Sequence, residues 1–196
     1  MNTSSKSKIT VYDIVSIALM AAIVYVVTNF RISIPTPIGK AMIHFGNVFC
    51  LLSGLLLGGK RGGLAAGLGS MFFDLFSEWA TSAPFTLVFK FVMAFVCGTI
   101  AYGNGAMAKN TKRNTVAAIL GAISYTILYT SKNIISGFFF LRNPWQTVMV
   151  DAAYKGGISL TNAIIAVVVA VILAPLFREA LTKAGIYEKL WRPKEA

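Results

Sequence analysis

A run of small residues within an apolar segment constrains this chain more than any other feature. Residues 44–75 read HFGNVFCLLSGLLLGGKRGGLAAGLGSMFFDL, two apolar runs on either side of the basic pair Lys60 and Arg61. In the second run Gly59, Gly63 and Gly67 recur every fourth residue, which places them in one ridge of a helix. A ridge with so little side chain lets helix backbones touch within lipid. The stretch therefore predicts two short membrane helices joined by a tight turn at the basic pair.

The composition indicates an integral membrane protein of one domain. Of the 196 residues, 56% are hydrophobic and 13% are charged, and the mean hydropathy is +0.70. The formal net charge is +11, but no basic segment carries the interleaved aromatic residues of a nucleic-acid groove, so we expect no nucleic-acid partner. The single histidine, His44, and the two cysteines in apolar runs, Cys50 and Cys97, predict neither a metal site nor a disulfide.

The apolar runs predict an all-α membrane protein with six transmembrane helices. Thr10 and Asp13 have the spacing of a capping box at the start of the first helix, which we expect to be retained rather than cleaved as a signal peptide. Two prolines and a glycine within residues 31–40 predict a loop. The predicted helices cover about residues 11–30, 42–57, 62–78, 84–102, 115–139 and 147–174.

Helices two and three are shorter than the roughly 20 residues that a full span needs, so we expect part of this hairpin to lie against protein. After Pro175, several apolar residues fall on one face of a basic segment, which predicts an amphipathic tail on the membrane surface. The expected organisation is a polar tail at residues 1–10, a six-helix membrane domain at 11–175 and the amphipathic tail at 176–196.

Lysine and arginine predict the orientation. Only Arg31, Lys40 and Arg142 fall on the side opposite the termini, and three further lysines fall within helices. By the positive-inside rule, both termini are expected in the cytoplasm. The residues on the side of the termini are Lys6, Lys8, Lys60, Arg61, Lys109, Lys112, Arg113, Arg178, Lys183, Lys189, Arg192 and Lys194.

Charged residues within the predicted spans are candidates for a binding site, since a charge in mid-membrane costs on the order of 2.5–3.5 kcal/mol. All six lie in the outer halves of their helices, and their charges sum to zero: Asp74, Glu78, Lys90, Lys132, Asp151 and Lys155. This pattern predicts a neutral polar cavity that opens to the outside, not an ion channel. Three alternatives stay open, namely an Asp151–Lys155 pair, an Asp74–Lys90 pair between helices, and a Glu78 that only meets water at the interface.

Polar residues near these charges extend the predicted site. Lys132 shares a helix face with Tyr125, Tyr129 and Ser136, and Asn162 lies deeper on the face that carries Asp151 and Lys155. We expect this polar stripe to line the cavity and Asn162 to form its floor.

Four further candidates lie near the outer ends of the helices. His44 and Asn47 begin the second helix, where they can donate to a ligand or cap the helix. Trp79 and Trp145 fall in outer loops, where they can anchor the chain at the interface or stack on a flat ligand.

These features resemble the substrate-binding S components of energy-coupling factor (ECF) vitamin transporters. The resemblance covers about residues 10–175 and rests mainly on the His-x-Gly-Asn start at 44–47 and the small-residue run that follows it. Ala18 and Ala22 lie one turn apart on the first helix and match the family's alanine motif, although internal packing also explains them. The similarity is greatest to the subgroup that includes riboflavin, hydroxymethylpyrimidine and pyridoxine carriers.

The resemblance implies a subunit that binds a water-soluble vitamin on the outer side of a prokaryotic plasma membrane. It also implies partners, namely a transmembrane coupling protein (T component), docked on the alanine motif, and two cytoplasmic ATPases. No nucleotide-binding motif occurs in this chain, so we expect ATP hydrolysis only in those partners and neither catalysis nor a cofactor here.

The neutral set of charges favours a small ring such as pyridoxine or hydroxymethylpyrimidine, because riboflavin would need more aromatic lining. The alternatives are a riboflavin-specific subunit, a stand-alone ion-coupled carrier and an assembly subunit.

Overall fold

A computed structural model describes residues 9–191 as a helical bundle with a small β-hairpin at one end. The predictions for the N-terminal tail, including Lys6 and Lys8, and those for Arg192 and Lys194 concern positions outside the described residues. The main helices are α1 (Val11–Thr28), α2 (Gly46–Leu57), α3 (Gly59–Leu75), α4 (Ala83–Tyr102), α5 (Thr111–Ile135), α6 (Trp145–Lys183) and α7 (Ile186–Trp191). Short 3₁₀ turns cover Ala80–Ser82 and Gly103–Gly105, and a π turn, Ser136–Phe140, extends α5.

The bundle has the apolar character of a membrane protein. Within residues 9–191, three segments are long and apolar enough to cross a membrane: Val11–Thr28, Ala80–Gly105 and Trp145–Lys183. Many large apolar side chains remain exposed on the outer faces of these helices, as lipid contact would require. At the first of them, the predicted capping box is present, since Thr10 and Asp13 bond each other's backbone N–H groups.

Helix α2 forms the centre of the bundle, and this explains its short length. Nearly all of its residues are buried, and Leu51, Leu52, Leu55 and Leu56 have no exposed surface. The prediction that the second helix lies against protein is therefore confirmed. A helix enclosed by its neighbours does not need to match the thickness of the lipid.

Glycines on several sides of α3 bring three neighbouring helices into backbone contact. A methyl group on Gly67 would lie 2.7 Å from the carbonyl oxygen of Leu87 in α4, and one on Gly62 would lie 2.5 Å from that of Ser53 in α2. Gly69 is equally close to Ala21 of α1. The predicted close packing of this helix is confirmed, and any side chain at these positions would push the helices apart.

The turn between α2 and α3 lies two residues earlier than predicted. It is formed by Gly58, whose φ of +80° suits glycine, whereas Lys60 and Arg61 belong to the first turn of α3. Arg61 Nε is 2.8 Å from a buried oxygen of Asp13, which ties α3 to the start of α1. This pairing favours a helical position for the arginine rather than a solvated turn.

Residues 31–44 form a β-hairpin where the sequence predicted a loop followed by helix. Strands β1 (Arg31–Thr36) and β2 (Gly39–His44) pair antiparallel, with Arg31 opposite His44 and Thr36 opposite Gly39. Prolines exclude a helix but tolerate an edge strand, and Gly39 takes a φ of +94° beside the two-residue turn. The all-α prediction therefore missed one small sheet, and the second helix begins at Gly46 rather than near residue 42.

The C-terminal segment also differs from the prediction. Helix α6 continues through Pro175 to Lys183 instead of ending at residue 174. Helix α7 then folds back onto the bundle, where the Trp191 ring stacks on Tyr102 at 4.3 Å and Arg61 donates to the Leu190 carbonyl at 3.0 Å. The sequence predicted a tail on the membrane surface, whereas these contacts hold α7 against the bundle.

Candidate binding cavity beneath the hairpin

The β-hairpin is held over one end of the bundle by polar side chains of α6. Asp151 accepts a hydrogen bond from the Ile38 N–H at 2.9 Å, and Lys155 donates to the Ile38 carbonyl at 2.8 Å. The two side chains also form an ion pair at 2.9 Å, so the predicted alternative in which they neutralise each other is confirmed. Asn162 accepts from the His44 N–H at 3.1 Å and donates to the Met42 carbonyl at 2.8 Å. We call Asp151, Lys155 and Asn162 the α6 clasp.

The opposite side of the hairpin is held by an exposed ion pair. Glu78 follows α3 and lies 2.8 Å from Lys40 and 3.9 Å from Arg31, both on the hairpin. The hydrogen bond from Lys40 lowers the pKa of the Glu78 carboxyl. Glu78 therefore meets water, as one alternative proposed, but it also fastens the hairpin to α3.

A cavity of about 300 Å³ lies beneath the hairpin, between α3, α4, α5 and α6. Its volume is at the lower end of the range of small-molecule pockets, about 300–1,000 Å³. Of the thirteen predicted substrate-binding residues, three do not line it: Asn47, Glu78 and Trp145. The ten that do are His44, Asp74, Trp79, Lys90, Tyr125, Tyr129, Lys132, Asp151, Lys155 and Asn162.

The remaining charges of the cavity are Asp74, Lys90 and Lys132. Lys90 is buried, donates to Asn47 Oδ1 and lies 3.5 Å above the centre of the Tyr125 ring. Among residues 9–191, Asp74 has no cationic atom within 4.0 Å, so the alternative of an Asp74–Lys90 ion pair is wrong. Asp74 is itself buried and lines the cavity, which leaves a carboxylate available to a ligand.

Aromatic side chains form much of the wall. Tyr125 and Tyr129 stack along α5 at 5.7 Å between ring centres, and the sequence had indicated both. Phe73, Phe85 and Phe89 also line the cavity and were missed, because phenylalanine in a membrane helix most often faces lipid or the core. Phe85 and Phe89 lie four residues apart on α4 and share a face, but this spacing is ordinary in a membrane helix.

The two predicted tryptophans have different surroundings. Trp79 lines the cavity, and its Nε1 is buried without a hydrogen-bond partner among the described residues. An indole N–H in that state is available to an acceptor on a ligand. Trp145 is 55% exposed and contacts Phe138 edge to face, as expected of an interfacial anchor.

His44 reaches the cavity as a neutral donor. Its Nδ1 accepts a hydrogen bond from the Gly46 N–H at 3.1 Å, which assigns the proton to Nε2. Burial, with a smaller effect from the Lys90 and Arg31 charges, lowers the pKa of His44 to about 3. The side chain therefore bonds the first residue of α2 and also lines the cavity.

Ala18 and Ala22 lie far from this cavity along the chain, and both are exposed on α1. Ala21 between them is buried against Gly69 of α3. Packing within the described chain therefore accounts for Ala21 but not for Ala18 and Ala22.

The sequence of this chain is similar to those of known proteins. Residues 8–183 match the family described as ECF-type riboflavin transporter, S component. A protein of Pyrococcus woesei described as "Uncharacterized protein in gap 3'region" is 29% identical over 119 residues, which are 58% of this chain and 78% of that protein. Because the family match extends over nearly the whole helical bundle, this chain belongs to the S components of ECF-type transporters, the substrate-binding subunits of vitamin importers.

Proposed function

We propose that this chain binds a flavin, with riboflavin as the first candidate, for uptake by an ECF importer. The observation that carries the proposal is the aromatic wall of the cavity. Six aromatic side chains surround it: Phe73, Trp79, Phe85, Phe89, Tyr125 and Tyr129. Flat conjugated rings gain from offset stacking and edge contacts with such side chains, by about 0.5–1.5 kcal/mol for each pair beyond burial.

The polar groups of the cavity suit the edge of a flavin ring. That edge carries an imide N–H between two carbonyl oxygens, so it needs one acceptor and flanking donors. Asp74 offers a buried carboxylate as the acceptor, and His44 Nε2 offers a flanking donor. Both residues line the cavity that a bound flavin would occupy.

A small ring such as pyridoxine or hydroxymethylpyrimidine is the second candidate. The sequence favoured it because the six charges sum to zero and because riboflavin would need more aromatic and apolar lining. Two of those charges, Asp151 and Lys155, neutralise each other in the α6 clasp, and Glu78 pairs with Lys40. The cavity has the aromatic lining that riboflavin would need, which supports the flavin. Its moderate volume still suits the smaller rings.

We further propose that six helices cross a prokaryotic plasma membrane with both termini in the cytoplasm. The excess of lysine and arginine at the end opposite the hairpin supports this orientation. The cavity would then face the outside, with the hairpin between it and the medium.

Uptake would require a T component and two cytoplasmic ATPases, as membership of the family suggests. The exposed surface at Ala18 and Ala22 is the proposed docking face for the T component, because small side chains let a partner helix approach closely. In cells that contain the partner subunits, we expect Ala18→Trp with Ala22→Trp to abolish uptake while the purified variant keeps its affinity for ligand. Loss of binding as well would indicate that the face supports the fold.

The test of ligand identity is a titration of the purified full chain in detergent against riboflavin, pyridoxine, hydroxymethylpyrimidine and thiamine. Tryptophan fluorescence is followed, and we expect saturable quenching by riboflavin. Trp79→Phe should remove most of the signal change and weaken binding, whereas Trp145→Phe, which alters an exposed ring outside the cavity, should not.

The other outcomes of this titration are distinct. Saturable binding of pyridoxine or hydroxymethylpyrimidine alone would replace the flavin with the small-ring candidate. If a folded sample bound no compound, the ion-coupled carrier or the assembly subunit would be the better hypothesis.

A further inference from the structure

The charged side chains of the cavity do not balance once their partners are assigned. Asp151 and Lys155 pair with each other, and Lys40 pairs with Glu78. This leaves one carboxylate, Asp74, and two ammonium groups, Lys90 and Lys132. None of these three has an opposite charge within 4.0 Å among residues 9–191. The side chains of the cavity therefore carry an excess of positive charge, where a ligand with a negative group would be favoured.

The ammonium groups of Lys90 and Lys132 differ in burial and in the partners of their N–H donors. Lys90 is buried between Asn47 Oδ1 and the face of Tyr125. Lys132 is half-buried and, within residues 9–191, donates only to Ser82 Oγ, at 3.1 Å. An ammonium group has three N–H donors, so Lys132 keeps donors for a ligand and remains reachable from water.

Other donors lie on the turn that Lys132 contacts. Ser82 accepts from Lys132 and keeps its own O–H proton to donate, and Trp79 on the same turn has a buried Nε1 without a partner. Both residues line the cavity with Lys132. One ammonium, one indole N–H and one hydroxyl supply three different donors, and a phosphate monoester presents three acceptor oxygens.

We infer that Lys132, Trp79 and Ser82 form an anion subsite that takes a phosphate monoester carried by the ligand. The inference rests on the proposed function, because it assigns the class of vitamin that the same cavity prefers. The ring occupies the aromatic part of the cavity, and the phosphate lies at the Trp79–Ser82 turn. Charge-assisted hydrogen bonds then offset the excess positive charge.

The experiment compares matched pairs of ligands on the purified full chain: riboflavin with riboflavin 5′-phosphate, and pyridoxine with pyridoxine 5′-phosphate. In the wild-type chain, we expect the phosphate ester of the ring that binds to have at least about tenfold higher affinity than its neutral partner. Lys132→Met should abolish this preference, and Lys132→Arg should keep most of it. Arg142→Gln removes an exposed cation outside the cavity and should leave the preference unchanged. Added salt should weaken binding of the esters alone.

Two results would overturn the inference while the proposed function stands. In one, the neutral vitamin binds and its phosphate ester binds no better. In the other, the preference for the ester persists in Lys132→Met. If a folded sample bound neither member of either pair, the proposed function would fail and the inference would fail with it.

Discussion

The buried ion pair of the α6 clasp gives the sharpest test of how the hairpin is held. Asp151 and Lys155 are four residues apart on α6, and their side chains are only 3% and 8% exposed. Each also bonds the backbone of Ile38 on the hairpin. Lys155→Met would leave the Asp151 carboxylate buried without its counter-charge. Loss of one partner of a buried pair costs about 3–5 kcal/mol, so we expect that loss in the free energy of unfolding.

The same helix offers a matched control. Glu179 and Lys183 have the same spacing and a similar separation, 2.7 Å, but their side chains are 63% and 76% exposed. For Lys183→Met we therefore expect a loss of no more than about 0.5 kcal/mol. Helix, spacing and substitution are the same in the two variants, so the contrast reports the burial of the pair together with the bond from Lys155 to Ile38.

Reversible unfolding of the purified chain in mixed detergents measures both losses of stability. The dissociation rate of a bound ligand measures how firmly the hairpin covers the cavity. Lys155→Met should release a bound vitamin faster than the wild type, since one bond from the clasp to Ile38 is lost. In the double variant Asp151→Leu with Lys155→Met, part of the stability should return, because no uncompensated charge remains. A loss for Lys155→Met as small as that for Lys183→Met would refute the reasoning.

Two further predictions concern packing and pH. Gly67→Ala places a methyl group 2.7 Å from the Leu87 carbonyl and should lower the free energy of unfolding by about 1–3 kcal/mol. The control Gly157→Ala meets nothing within 4 Å and should be neutral or slightly stabilising. Unfolding of both purified variants measures the difference. Burial lowers the pKa of His44 to about 3, so only the unfolded state takes up a proton between about pH 6.5 and that value. Stability should fall as the pH decreases through this window. His44→Asn keeps an acceptor for the Gly46 N–H and should reduce the slope of the unfolding free energy against pH by up to about 1.4 kcal/mol per pH unit. An unchanged slope would show that other groups cause the pH dependence.

Local patterns predicted the parts of the fold that depend on neighbours in sequence. The glycine periodicity of α3 indicated close helix packing, because every fourth residue falls on one face. The spacing of Thr10 and Asp13 indicated the start of α1, because capping involves one helical turn.

The candidate site was predicted in outline for the same reason. Charges in apolar helices are costly and therefore conspicuous, which identified Asp74, Lys90 and Lys132. Phe85 and Phe89 were not found, because their type is common in any membrane helix and only the packing of α3, α4 and α5 turns them toward a cavity.

The sequence by itself determined that this chain is a helical membrane protein with charged groups gathered near one end of its helices. Only the tertiary structure decided that Asp151 and Lys155 hold the hairpin, because their backbone partner, Ile38, lies more than a hundred residues away. It also decided that residues 31–44 form strands, since the clasp and Glu78 hold the hairpin from both sides. Contacts between distant segments carry no periodic signal in the chain, and they fix both the hairpin and the charge that remains for a ligand.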